Sequence, residues 1–126
     1  MLTTLSLVAL GGALGAGLRY LAGVGILRLV GHGDFPVAIL SVNVIGSFLM
    51  GVFVVIAAQR GLTHLGPFVM TGLLGGFTTF SAFSLETMTL IERGQIGFAS
   101  LYVVLSVGLS IGGLALGLLA ARSVFA

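Results

Sequence analysis

Charged positions divide the chain into long apolar runs. Phe35 to Gln59 and Gly61 to Leu85 each hold 25 uncharged residues, and Gly94 to Ala121 holds 28. An earlier run from Met1 to Leu18 is interrupted by Arg19 and then resumes as Leu21-Ala22-Gly23-Val24-Gly25-Ile26-Leu27 before Arg28. The three uninterrupted runs exceed the roughly 20 apolar residues that a membrane-crossing helix needs. The pattern predicts four transmembrane helices over about 3–30, 36–59, 65–92 and 96–122. Pro36 and Pro67 fall at first turns, where a missing N–H costs little. The links, 31–35, 60–64 and 93–95, are too short for an extramembrane domain, so residues 1–126 read as a single four-helix membrane domain. The start, Met1-Leu2-Thr3-Thr4-Leu5, lacks the basic region of a secretory signal and reads as part of the first span.

Composition sharpens the class. The chain is 58% hydrophobic and 6% charged, against about 25% charged residues in an ordinary soluble domain. So short a chain cannot hide this much apolar surface in one water-soluble core. A soluble enzyme and a disordered segment are both excluded. The pI near 10 comes from a net charge of only +2, which is no footprint for nucleic acid. Cysteine is absent, so disulfides and thiolate metal ligands are absent too.

Glycine, at 21 residues, is spaced in a way that bears on packing. Small residues recur four apart as Gly11/Gly15, Ser47/Gly51, Gly72/Gly76, Gly108/Gly112 and Gly113/Gly117. In lipid, where packing drives helix association, this spacing lets backbones approach closely. All four spans carry such a pair, which predicts a tight bundle and an oligomer.

Four spans place both termini and the 60–64 link on one side of the membrane. Arg60 and Arg122 lie there, against Arg28 and Arg93 on the other. Orientation follows the Lys/Arg difference across short loops, and this balance leaves it undecided unless Arg19 tips the count. The expectation is insertion both ways up, with antiparallel homodimers.

The third span contains Gly75-Gly76-Phe77-Thr78-Thr79, a poor helix centre by propensity. Residues 65–74 would rise about 15 Å as a helix, half the hydrocarbon thickness. A break near the midplane is therefore expected. Unwound backbone at that depth is tolerated where it is buried in protein or lines a cavity, and broken helices recur at ion sites. On the last span Tyr102, Ser106 and Ser110 lie four apart, one hydroxyl stripe down a helix. Such a stripe suits a water- or ion-lined track, although serines also bond their own i−4 carbonyls.

Three stretches together resemble the small fluoride channels of the Fluc, or CrcB, family. They are Gly75-Gly76-Phe77-Thr78-Thr79-Phe80-Ser81-Ala82-Phe83-Ser84 with Glu86, Asn43-Val44-Ile45-Gly46-Ser47-Phe48-Leu49-Met50-Gly51, and Gly11-Gly12-Ala13-Leu14-Gly15-Ala16 with Arg19-Tyr20. The resemblance implies an all-α, four-helix protein that dimerises antiparallel, with two fluoride pathways and a structural Na⁺ at the dimer centre. Its fluoride-track hydroxyls fall at the Tyr102, Ser106 and Ser110 spacing. Two positions depart from the family pattern. Ala82 stands where the signature usually has Thr, and Ile39 where a hydroxyl can precede the second-span Asn.

The residue chemistry agrees with that reading. Fluoride is small and strongly hydrated, so a selective pore must replace its water with close donors or positive dipoles. Asn43 carries an amide N–H₂, a costly guest in a lipid-spanning helix. Phe80 and Phe83 share a helix face, and aromatic edges carry the positive part of the ring quadrupole. Arg19 is read as a vestibule cation that draws anions in. Glu86, Ser81 and Ser84 are less defined candidates for the pathway. Backbone carbonyls of Gly75 and Thr78, freed by unwinding, are the expected Na⁺ ligands. A neutral oxygen cage suits a monovalent cation better than Ca²⁺ or Mg²⁺, which recruit carboxylates. The expected activity is passive export of fluoride from the cytoplasm across the plasma (inner) membrane. A small dual-topology antiporter would need a first-span carboxylate, where this chain has only Arg19. A non-transporting scaffold would explain the glycines but neither the hydroxyl stripe nor the break. A membrane enzyme would need a nucleophile–base or carboxylate pair, and of the three acids only Asp34 lies near a His, two positions from His32 in the 31–35 link, outside the spans.

Overall fold

The computed structural model describes residues 1–125. It is all-helical. Helix α1 runs Leu2–Val30 and α2 runs Val37–Arg60. After a 3₁₀ turn at Thr63–Leu65, the third span begins as a π-helix over Pro67–Leu74 and continues as the short α3, Gly75–Phe77. It resumes as α4, Phe80–Glu92, and the fourth span is α5, Ile96–Phe125. Four segments are long and apolar enough to cross a membrane, the third being Thr63–Glu92. The protein is a multi-pass membrane protein, and the helix ends lie within a few residues of those read from the charges.

The links are sharp because glycine closes them. Gly61 at φ 67° and Gly94 at φ 76° occupy the left-handed region just after α2 and α4, where a residue without Cβ has no steric cost. Across the 31–35 and 93–95 links, Gln95 Nε2 donates to Asp34 Oδ2 at 2.8 Å. Phe35 stands edge-on to both Phe98 and Tyr102, with ring centroids 5.8 and 5.7 Å away.

Two close seams hold the bundle. Along the first, α1 lies on the π-helix and α3: a Cβ added to Gly11 or Gly15 would run into the backbone at Phe68 or Leu73. Gly72 and Gly76 answer from the other side, against the carbonyls of Val8 and Gly12. Along the second, Gly51 faces the Leu114 carbonyl and Gly117 faces that of Phe48, joining α2 to α5. The predicted Gly11/Gly15 and Gly72/Gly76 pairs thus do the packing expected of them. Gly108 and Gly112 do not: among the described residues nothing lies within 4 Å of where their Cβ atoms would be.

The break in the third span falls on the threonines rather than the glycines. Gly75 is helical (φ −64°, ψ −37°), whereas Thr78 (φ −86°, ψ 159°) and Thr79 (φ −151°, ψ 119°) are extended. Thr79 restarts the helix by capping it, its Oγ1 accepting from the Ala82 N–H at 3.1 Å. A β-branched residue whose side-chain oxygen can cap competes well with helix at this point.

Candidate functional site

A groove of about 380 Å³ opens beside the break, walled by α2, the Thr78–Thr79 segment, α4 and α5. It gathers Asn43, Phe80, Phe83, Ser106 and Ser110, which come from three helices and lie up to 67 positions apart (110 − 43). The remaining lining is mostly apolar, with Met50, Val107, Ile111 and Leu114 along it. A dry wall with a few polar groups raises the weight of each dipole it contains.

Asn43 is fixed at the head of this groove by two bonds to one residue. Its Oδ1 accepts from the Thr79 N–H at 2.7 Å, and its Nδ2 donates to the Thr79 carbonyl at 3.0 Å. The pairing sets the amide orientation, since a flipped amide would put donor against donor. One N–H of Nδ2 is left over. The sequence alone identified Asn43 as a donor but not its partner, 36 residues away.

The aromatic pair is split by its surroundings. Phe80 is 76% exposed and Phe83 only 9%, with their ring centroids 5.4 Å apart. Phe83 in turn leans on Tyr102 at 5.1 Å. Tyr102 is fully buried at 0% exposure and stands behind Phe83, outside the residues that line the groove. The stripe therefore divides: Ser106 and Ser110 face the groove, and Tyr102 supports its aromatic wall. Among the described residues the hydroxyls of Tyr102 and Ser106 are both buried without a hydrogen-bond partner. A buried polar group left this way costs about 1–3 kcal/mol, so a ligand or water with acceptor capacity is favoured beside Ser106.

Arg19 and Glu86 share a second cavity of about 730 Å³ with Asp34 and Arg93. This lies at the end of the bundle that carries the 31–35 and 93–95 links, so Arg19 belongs to that side. Counting it there makes the arginines three against two: Arg19, Arg28 and Arg93 against Arg60 and Arg122. Arg19 Nε is buried without a partner among the described residues. Ile39 lines the same cavity and packs on the Phe83–Tyr102 cluster, which makes the wall between the two cavities apolar at that position.

Ser81 and Ser84 stand apart from both cavities. Ser84 Oγ donates to the Phe80 carbonyl of its own helix at 3.0 Å, and Ser81 Oγ lies 3.3 Å from Thr79 Oγ1. Ala82 contributes its backbone N–H to the Thr79 cap, a role that no side-chain hydroxyl is needed for. Thr78 is the first residue of the break and lines the groove, and Gly75 opens the short helical turn that leads into it.

Comparison with known proteins identifies the family. The family described as CrcB-like protein, Camphor Resistance (CrcB), matches residues 6–118. A protein of Ruegeria sp. (strain TM1040), named fluoride-specific ion channel FluC, is 67% identical over 98% of this chain and 98% of its own length. One of the same name from Roseobacter denitrificans is 68% identical over 97% and 98%. Another, from Jannaschia sp. (strain CCS1), is 72% identical over 80% of this chain and all of its own. With the family pattern running through all four spans and relatives this similar along nearly their full length, the chain belongs to the CrcB family.

Proposed function

We propose that this protein is a passive, fluoride-selective ion channel that exports F⁻ from the cytoplasm across the plasma membrane. It is not an enzyme. The observation that carries the reading is the groove: one amide N–H, two serine hydroxyls and two phenyl rings on a dry wall suit a small anion that must shed water. Fluoride accepts strong hydrogen bonds and fits between donors that a larger halide would force apart. Asn43 and the serines supply donors, and the Phe80 and Phe83 edges supply positive dipole where no N–H is available. Arg19, whose Nε has no partner among the described residues, would draw anions in locally at one mouth, in a cavity whose two arginines are offset overall by Asp34 and Glu86.

A second copy, inserted antiparallel, completes the pathway. Phe80 is exposed in the single chain, and Gly108 and Gly112 are bare on α5. Both would gain a partner at such an interface. The arginines at the helix ends stand two against two, and Arg19 tips the count by a single charge, a bias small enough for mixed insertion; tagged termini found on one side only would contradict it.

A structural Na⁺ at the dimer axis fits the break. In an unbroken helix the carbonyls of Gly75 and Thr78 would receive the N–H groups of Thr79 and Ala82. Those donors go instead to Asn43 Oδ1 and Thr79 Oγ1. Two carbonyls from each copy would form a neutral oxygen cage, whose cation would hold the subunits together and favour anions beside it.

The test of the activity is efflux from proteoliposomes loaded with fluoride or chloride. A passive channel releases fluoride once charge is compensated by an ionophore, with no proton gradient, and releases chloride far more slowly. Fluoride release that requires a proton gradient, or that chloride equals, would overturn the reading.

A further inference from the structure

The residue between the anion groove and the break is Asn43, and its bonds reach both. We infer that Asn43 is a positioning residue for the cation cage, because its side chain takes the Thr79 N–H away from the Gly75 carbonyl and so leaves that carbonyl free to bind a cation. The inference rests on the Na⁺ reading above and adds to it a physical link between the cation and the anion pathway.

Thr79 N–H has one hydrogen and a choice of two acceptors. In a continuous helix it would return to Gly75, four residues back. Here it goes to Asn43 Oδ1 at 2.7 Å, a short bond for an N–H donor. The Thr79 carbonyl is held in turn by Asn43 Nδ2 at 3.0 Å, so both backbone groups of the extended residue are satisfied from α2. Asn43 thus does across the helices what a neighbouring strand does for an extended residue in a sheet. Gly75 stays helical up to this point, and its carbonyl is left without its helical donor. The Thr79 side chain repeats the device one step along, capturing the Ala82 N–H that would have returned to Thr78. Both captures are made by residues that line the groove, but only the first comes from another helix, 36 positions away. A change at Asn43 therefore alters two things: the donor offered to fluoride and the carbonyl offered to the cation.

The two roles separate by substitution. Asn43→Asp keeps an oxygen for the Thr79 N–H but loses the amide donors. Asn43→Leu keeps the shape and loses both functions. The measurement is the thermal unfolding midpoint of the purified protein in detergent, titrated with NaCl at constant ionic strength against N-methyl-D-glucamine chloride, with fluoride efflux measured in parallel. Both variants should lose fluoride efflux. Only Asn43→Leu should move the Na⁺ midpoint upward, by about 10–100-fold, the usual consequence of losing a group that orients metal ligands. If Asn43→Leu does not fold, Asn43→Ala removes the same acceptor in a smaller side chain and carries the same expectation. A wild-type Na⁺ response that is unchanged in the Leu or Ala variant would overturn the inference while leaving the Na⁺ reading standing. An equal upward shift in Asn43→Asp would also overturn it, since the acceptor would then be irrelevant. A wild type indifferent to Na⁺ would remove the cation reading and this inference with it.

Discussion

The two halves of the third span are built to different ends. The N-terminal half meets α1 almost backbone to backbone, with Gly11, Gly15, Gly72 and Gly76 leaving no room for a Cβ. The C-terminal half presents rings and hydroxyls, places Phe83 against Tyr102 and leaves Phe80 open. One half is a seat and the other a wall. Between them the chain is extended for two residues, pinned by Asn43 and capped by Thr79. Rigid backing on one side of a break lets the unwound residues hold a fixed geometry without a side-chain core of their own.

The comparison breaks most readily at the seat. Gly15→Ala forces a methyl into the Leu73 carbonyl. Backbone cannot yield as a flexible side chain does, so the expected loss is about 3 kcal/mol or failure to assemble, read by thermal unfolding in detergent. Gly17→Ala on the same helix meets nothing within 4 Å among the described residues. It should be neutral or stabilising by up to about 1 kcal/mol, because alanine is the better helix former. Similar losses in both variants would mean that the seat is not the close seam described.

The wall should respond in function more than in stability. Phe80→Ile and Phe83→Ile keep apolar bulk but remove the aromatic edge. An edge interaction of about 1–1.5 kcal/mol corresponds to roughly a tenfold fall in fluoride flux. Phe83→Ile should also cost about 1 kcal/mol of stability through its lost contact with the Tyr102 ring, and Phe80→Ile much less. Unchanged flux in both variants would return the two rings to packing.

Much of this organisation was legible in the order of residues. Charges bounded the spans because a charge is costly inside the bilayer, and the i, i+4 stripe placed Ser106 and Ser110 on one face because helix geometry is fixed. The weak helix centre was visible too, but not which residues would unwind. Propensity points to Gly75 and Gly76, yet glycine in a close seam is held helical by its neighbours, while the threonines have a capping oxygen and a partner in α2. That partner, Asn43, lies 36 residues away, beyond any local pattern. Tyr102 belonged to the stripe by spacing and left it by packing, once Phe35 and Phe83 closed around its ring. The cavity shared by Arg19, Glu86, Asp34 and Arg93 is likewise a product of how the helix ends meet.

The central claim, that the groove is the route fluoride takes, can be tested by blocking it. The chain has no cysteine, so a single introduced thiol reacts without background. Ser110→Cys places that thiol in the groove, and Leu119→Cys places it on the outer surface of the same helix, where the native residue is 63% exposed. Both are reconstituted, treated with a charged methanethiosulfonate reagent and checked by mass for complete modification before fluoride efflux is measured. Efflux should be abolished in modified Ser110→Cys and kept in modified Leu119→Cys. Full modification at position 110 with undiminished fluoride efflux would contradict the account.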